Sequence, residues 1–355
     1  MKRHFLALLV LPLMTAAAPA AEPTPESVAD TMRRAADWQL AHPSGTSITD
    51  WIIAPLYDGL LRASLTLGEP RYLTEVLRLG EQAGWRPGPR VYFADDHAVG
   101  HAWLDIYLLD PSRPERLGPI RERMDTVIEN PITEDLSHVR RPTTPGVRSI
   151  DRWTWCDALY MAPPTLTRLY SVTGDDKYLQ FLDREFRFTY DKLWDADEGL
   201  FYRDDRYLGE ETPNGKKIFW SRGNGWVYGG IALVLEDLPG NHPTRGFYED
   251  IFRRMTKAVV AAQQDDGLWR PSLLDPDIIP AGETSGSAFF TFGLAWGLNH
   301  GLLEGASARE AALRGWAGLG TRIHPDGTVG YVQPVGAEPD QFSPDSTNDY
   351  GTGAF

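Results

Sequence analysis

One cysteine, Cys156, is all that this chain of 355 residues carries. No intrachain disulfide can form, so the packed core alone has to hold the fold. Basic residues are also short. The 35 Lys and Arg face 49 Asp and Glu, giving a net charge of −14. Such an acidic surface repels nucleic acid and anionic membranes, and neither is expected as a partner. An anionic ligand would need a local cationic pocket against that background. No apolar run is long enough to span a membrane. Neither an HExxH nor a GxGxxG sequence occurs, so those metal and dinucleotide signals are missing. Long alternating runs are absent too, which argues against an extended sheet.

Residues 1–20 read as a secretory signal. Lys2 and Arg3 form its basic start, residues 5–14 its apolar core and Ala18-Pro19-Ala20 its cleavage site. The expectation is an exported protein, periplasmic or secreted, with residues 21–355 as a single domain. Removing the signal leaves 33 basic against 49 acidic residues, or −16. No cysteine near the cleavage site points to a lipid anchor. The 12 Trp, 14 Tyr and 14 Phe suit either sugar stacking or an aromatic core.

Helical apolar spacing marks 26–41, 51–67, 70–83, 97–109, 114–129, 156–173, 176–192, 223–237, 247–264, 285–303 and 307–320, with a last helix opening near 349. GEPRYL at 68–73 and GDDKYL at 174–179 each end one helical run and open another. Asp-Gly or Asp-x-Gly turns recur at Gly199, Gly267 and Gly327 in DEGLFYR, DDGLWR and PDGTVGY. A spacing of one helical hairpin plus its loop predicts an all-α protein, an (α/α)6 toroid of six hairpins with short β-hairpins in its loops. An open solenoid is the competing arrangement. Residues 130–153, rich in proline and charge, are expected to cover one end of the toroid.

Four constellations carry chemistry. In DRWTWCDALYMAPP, Asp157 lies among Trp155, Cys156 and apolar residues. Burial disfavours a charged carboxylate, so its pKa should rise and it could act as a general acid. A helix cap or a hydrogen-bonded core aspartate is the alternative. In ADDHAVGH, Asp95, Asp96 and His97 open a helix, with one Asp as cap and the other facing a cavity. His97 and His101 share a helix face, but no third zinc ligand is evident. WSRGNGW places Arg222 between Trp220 and Trp226, a pattern suited to an acidic sugar, with glycines that would admit a ligand closely. ETSGSAFF puts Glu283, Thr284 and Ser285 before a buried helix, where a cap plus core is the simple reading.

These motifs, with LWRPSLLDP at 268–276 and the terminal YGTGAF, resemble glycoside hydrolase family 105, the unsaturated rhamnogalacturonyl hydrolases, and its relative, family 88. The resemblance covers the chain from about Glu26 to Phe355 and would make YGTGAF the start of the family's last helix. It implies a toroid that removes a 4,5-unsaturated uronic acid from the non-reducing end of lyase-made oligosaccharides. Rhamnogalacturonan fragments are the first expectation; ulvan or arabinogalactan fragments, or a non-catalytic oligosaccharide-binding role, are the alternatives. Asp157 matches the family's general acid/base, and Asp95, with Asp96 beside it, the second aspartate. His97, Trp155, Trp220, Arg222, Trp226, Thr284 and Ser285 are the expected substrate contacts. No metal or organic cofactor is implied, and the number of subunits is left open. Where many members carry a His in the Leu-aromatic-aromatic turn, this chain has Arg203. That residue is a cation for a carboxylate or a sulfate, or a surface residue without a role.

Overall fold

The computed structural model describes residues 22–355, so the segment read as a signal lies outside the described residues. The helices are α1 (Pro25–Ala41), α2 (Ala54–Leu67), α3 (Pro70–Ala83), α4 (Gly100–Leu109), α5 (Gly118–Glu129), α6 (Ala158–Met161), α7 (Pro163–Thr173), α8 (Lys177–Leu193), α9 (Ser221–Asp237), α10 (Arg245–Ala262), α11 (Thr284–Asn299), α12 (Ala306–Gly320) and α13 (Asp349–Ala354). The expected helix over 156–173 is interrupted, because Pro163 and Pro164 lack the N–H groups that would continue it past Met161. Gly68 and Gly174, from the two recurring motifs, end α2 and α7 in the left-handed conformation.

The inner layer is a closed ring: α2, α4, α6–α7, α9, α11 and α13 pack in succession, and α13 returns to α2. Closure decides for the toroid over an open solenoid. Helices α3, α8, α10 and α12 stand behind their inner partners, and α5 reaches α8. The sixth hairpin joins opposite ends of the described chain, with α1 packed on α13 and α2. Sequence pattern follows layer. Only Tyr72, Val76 and Gly80, one stripe, are buried in outer helix α3. In inner helix α9 every residue from Ser221 to Leu235 is buried. Helices this deeply set meet at glycines. A Cβ on Gly230 would lie 2.4 Å from the Leu159 carbonyl oxygen, and one on Gly353 would lie 2.2 Å from the Pro55 carbonyl carbon.

Each outer helix returns the chain, so all inner helices run parallel. Their N-termini share one end with the long connections, as expected. Between α8 and α9, β1 (Trp194–Asp195) pairs antiparallel with β2 (Leu200–Phe201). The three glycine turns close there and at equivalent places after α10 and α12, with Gly199, Gly267 and Gly327 at φ of 69°, 80° and 103°.

Candidate active site

Six inner N-termini converge on one end of the ring, and their partial positive charges favour a negative ligand there. Trp51 before α2 stacks on Tyr350 of α13, and Arg222 of α9 lies over the same tyrosine ring. Asp157 enters this end immediately before α6. Its side chain makes no capping hydrogen bond, so the helix-cap reading fails. The Cys156 N–H instead donates to the Arg203 carbonyl at 2.8 Å, which pins the start of α6 to the strand-end loop. Arg203 Nε then stands 3.5 Å from Asp157 Oδ2. Both side chains keep a little accessibility, 11% for Asp157 and 18% for Arg203.

Burial raises the pKa of Asp157, opposed by the charges of Arg203 and Arg222. Asp95 is raised further. Its burial is compounded by the negative field of Asp157, and its Oδ1 finds no hydrogen-bond partner among the described residues. Both carboxyls are therefore less ready to ionise than an exposed aspartate.

Asp96 behaves differently. Arg90 holds its carboxylate through Nε and Nη2, and the Arg90 N–H adds a third bond. That carboxylate anchors the loop at 88–90, so of the adjacent pair only Asp95 is available. His97 turns to the Val91 carbonyl at 2.9 Å, and burial holds its pKa near 4. It is correspondingly placed in the wall, away from the accessible carboxyls. His101 diverges from it, so the two do not form a metal pair. Among the described residues no cluster of three or more His, Cys, Asp or Glu is placed to hold a metal ion.

Several expected substrate contacts are packed inside the wall. Arg222 is fully buried: Nη1 and Nη2 donate to the carbonyls of Gln333 and Pro334, and the guanidinium lies between Trp220 and Tyr350. It reaches Asp157 through its charge alone. Trp220 donates to Gln333 Oε1 at 3.0 Å, and Trp226 is enclosed by Tyr160, Phe289, Trp51 and Tyr350. Trp155 stacks on Phe93, buried. Thr284 donates to the Gly330 carbonyl and Ser285 to Glu283, which caps α11 as the simple reading held. The glycines of WSRGNGW face Trp220, Phe289 and Gly286, so they serve helix packing and not ligand approach.

Asp58, Asp204 and Asp205 gave no sequence signal. Asp204 is fully buried and accepts two hydrogen bonds from the Arg206 guanidinium and one, at 2.7 Å, from Arg203 Nη1. Burial would raise its pKa, but these cations hold it at about 2. The long loop at 130–153 docks here: the His138 N–H donates to Asp205 at 2.9 Å, and the His138 ring meets Trp155 edge-on. Beneath the site, His101 faces Asp58 Oδ2 through Nδ1 and the Met161 carbonyl through Nε2, both at 3.1 Å. Both ring nitrogens of His101 thus face an acceptor, and His101 holds the pKa of Asp58 down despite full burial. Tyr160 also donates to Asp58.

The sequence model of glycosyl hydrolase family 88 matches residues 24–355. The chain belongs to glycosyl hydrolase family 88. It is 39% identical over 333 residues to the unsaturated 3S-rhamnoglycuronyl hydrolase of Formosa agariphila, covering 91% of this chain and 87% of that relative. A protein of the same description from Alteromonas sp. is 33% identical over 357 residues, covering 93% and 85%. The solved structure of a family 88 protein from Bacteroides vulgatus matches with a TM-score of 0.83 at 31% identity, over 94% of this chain and 97% of that one. The family 88 assignment agrees with the closed ring and with the resemblance carried by the motifs.

Proposed function

We propose that this protein is a glycoside hydrolase that removes an unsaturated uronic acid from the non-reducing end of lyase-generated oligosaccharides. The observation that carries this reading is the Asp157 carboxyl at the N-terminal end of the inner ring, its pKa raised by burial, with the Arg203 guanidinium 3.5 Å away. The substrate is an unsaturated glycuronyl unit on rhamnose, the class named in the description of both relatives. Asp157 protonates C4 of the double bond, and positive charge develops at C5 and the ring oxygen. The deprotonated carboxylate then takes a proton from the water that adds at C5. The hemiketal opens, and the neighbouring sugar leaves as C1 becomes an aldehyde. One carboxyl serves both proton transfers, so the spaced pair of ordinary glycosidases is not needed. Asp95 is the second carboxyl of the site and holds the ring hydroxyls.

The basic start, apolar core and small-residue site of residues 1–20 support export. The reaction is tested by following the ultraviolet absorbance of the unsaturated uronide. Loss of absorbance with release of a rhamnose-ended product is expected. Unchanged absorbance on rhamnoglycuronyl and rhamnogalacturonyl substrates, with folded protein, would overturn it. Binding without turnover would show a capture protein instead.

A further inference from the structure

Arg203 is built into the site more firmly than a surface arginine and less completely than a structural one. Its own carbonyl receives the Cys156 N–H, so its position relative to Asp157 is set by backbone pairing. Trp155 and Asp204 form a second bridge across the same two segments. Nη1 is anchored on Asp204, which Arg206 grips from the other side. Arg203 and Arg206 thus share the single buried carboxylate of Asp204. Nε, in contrast, has no hydrogen-bond partner among the described residues and stands at 3.5 Å from Asp157, beyond good hydrogen-bond distance. Nε itself is buried, but the side chain as a whole stays 18% exposed, and a guanidinium anchored at one terminal nitrogen keeps donors for an oxyanion. Arg222 does not compete for this role, because backbone carbonyls occupy its terminal nitrogens.

We infer that Arg203 reads an oxyanion of the substrate, either the uronate carboxylate or a sulfate ester on the adjacent sugar, and that this anion draws the guanidinium's charge away from Asp157. The free enzyme then holds Asp157 under a cation, and the occupied enzyme does not. Anion binding thus favours the protonated form of Asp157, the form that the first step consumes. Asp204 is the positioning residue that presents the guanidinium. This inference rests on the reaction proposed above.

The test uses the full-length protein and two unsaturated uronyl-rhamnose disaccharides, one sulfated on rhamnose and one not. Wild type is compared with Arg203→Gln, Arg203→Lys and Asp204→Asn. Arg203→Gln is expected to raise KM about ten- to a hundredfold, the worth of one charge-assisted contact. It should also shift the alkaline limb of the kcat/KM profile to higher pH, because Asp157 loses its cation. Arg203→Lys should recover part of KM, and Asp204→Asn should fall between. A KM loss equal on both disaccharides identifies the carboxylate as the anion; a loss confined to the sulfated one identifies the sulfate. KM and alkaline limb within twofold of wild type for both Arg203 variants would overturn the inference. Failure of wild type on both disaccharides would overturn the reaction instead. Calorimetric titration with a saturated, sulfated uronyl-rhamnose then reads the contact without turnover, and equal Kd for wild type and Arg203→Lys and Arg203→Gln would overturn it there.

Discussion

The Arg203 carbonyl accepts the Cys156 N–H at 2.8 Å, and this bond fixes a cation beside the carboxyl of the next residue, Asp157. The site is therefore set by chain register as much as by side-chain choice.

Asp157→Asn keeps the size and polarity of the side chain but removes the transferable proton. Turnover should fall by about a hundred- to ten-thousandfold, with circular dichroism and melting unchanged or improved. Retained activity would move the acid role to another residue.

Asp95 has a raised pKa, so it lowers stability once pH rises above its unfolded value, and the cost grows until its folded pKa is passed. Asp95→Asn removes that cost. Thermal unfolding at pH 8 should rise by about 1–3 °C, while at pH 3 the variant and wild type should melt together. Activity should drop sharply in the same variant.

Asp204 shows the opposite sign. Its folded pKa of about 2 is below the unfolded value, so its stabilisation is present above the unfolded pKa and lost as pH falls towards 2. Its contribution is on the order of 2 kcal/mol. Asp204→Asn should narrow the acid-stability window measured by urea unfolding, and an unchanged acid limb would contradict the pairing.

The Asp58–His101 pair couples α2, α4 and the end of α6. Asp58→Asn breaks the buried His101–Asp58 pair and should cost about 3–5 kcal/mol in chemical denaturation. Combining it with His101→Gln should cost much less than the two changes added, which a double-mutant cycle would read.

The sequence made the helices legible because inner and outer layers differ in apolar pattern, and α3 and α9 show the two extremes. The burial of Asp157 and its raised pKa were legible because its sequence neighbours are apolar and aromatic. Asp95 and Asp96 could not be told apart until Arg90 took one of them. Arg222, Trp226, Thr284 and Ser285 looked like ligand contacts because their partners, Gln333, Pro334, Gly330 and Tyr350, arrive from far along the chain. His101 and Asp58 likewise meet only after the ring has closed. Arg203 stood out by type, but its anchoring on Asp204 is a property of the fold.

Gly353 against Pro55 has a kinetic meaning. The seam joins segments separated by almost the whole described chain, and its loop-closure entropy is met only when the other hairpins are in place. The docking of α13 into a nearly finished ring is then the expected late step of folding. Gly353→Ala, whose Cβ would meet the Pro55 backbone, should slow or weaken that docking at a cost of about 1–3 kcal/mol. Stopped-flow refolding should show it as a slower final phase, with the earlier phases unchanged. Because Arg222 and Trp226 pack on Tyr350 of that same helix, an unclosed ring would also be an unassembled site, and activity would report the moment of closure.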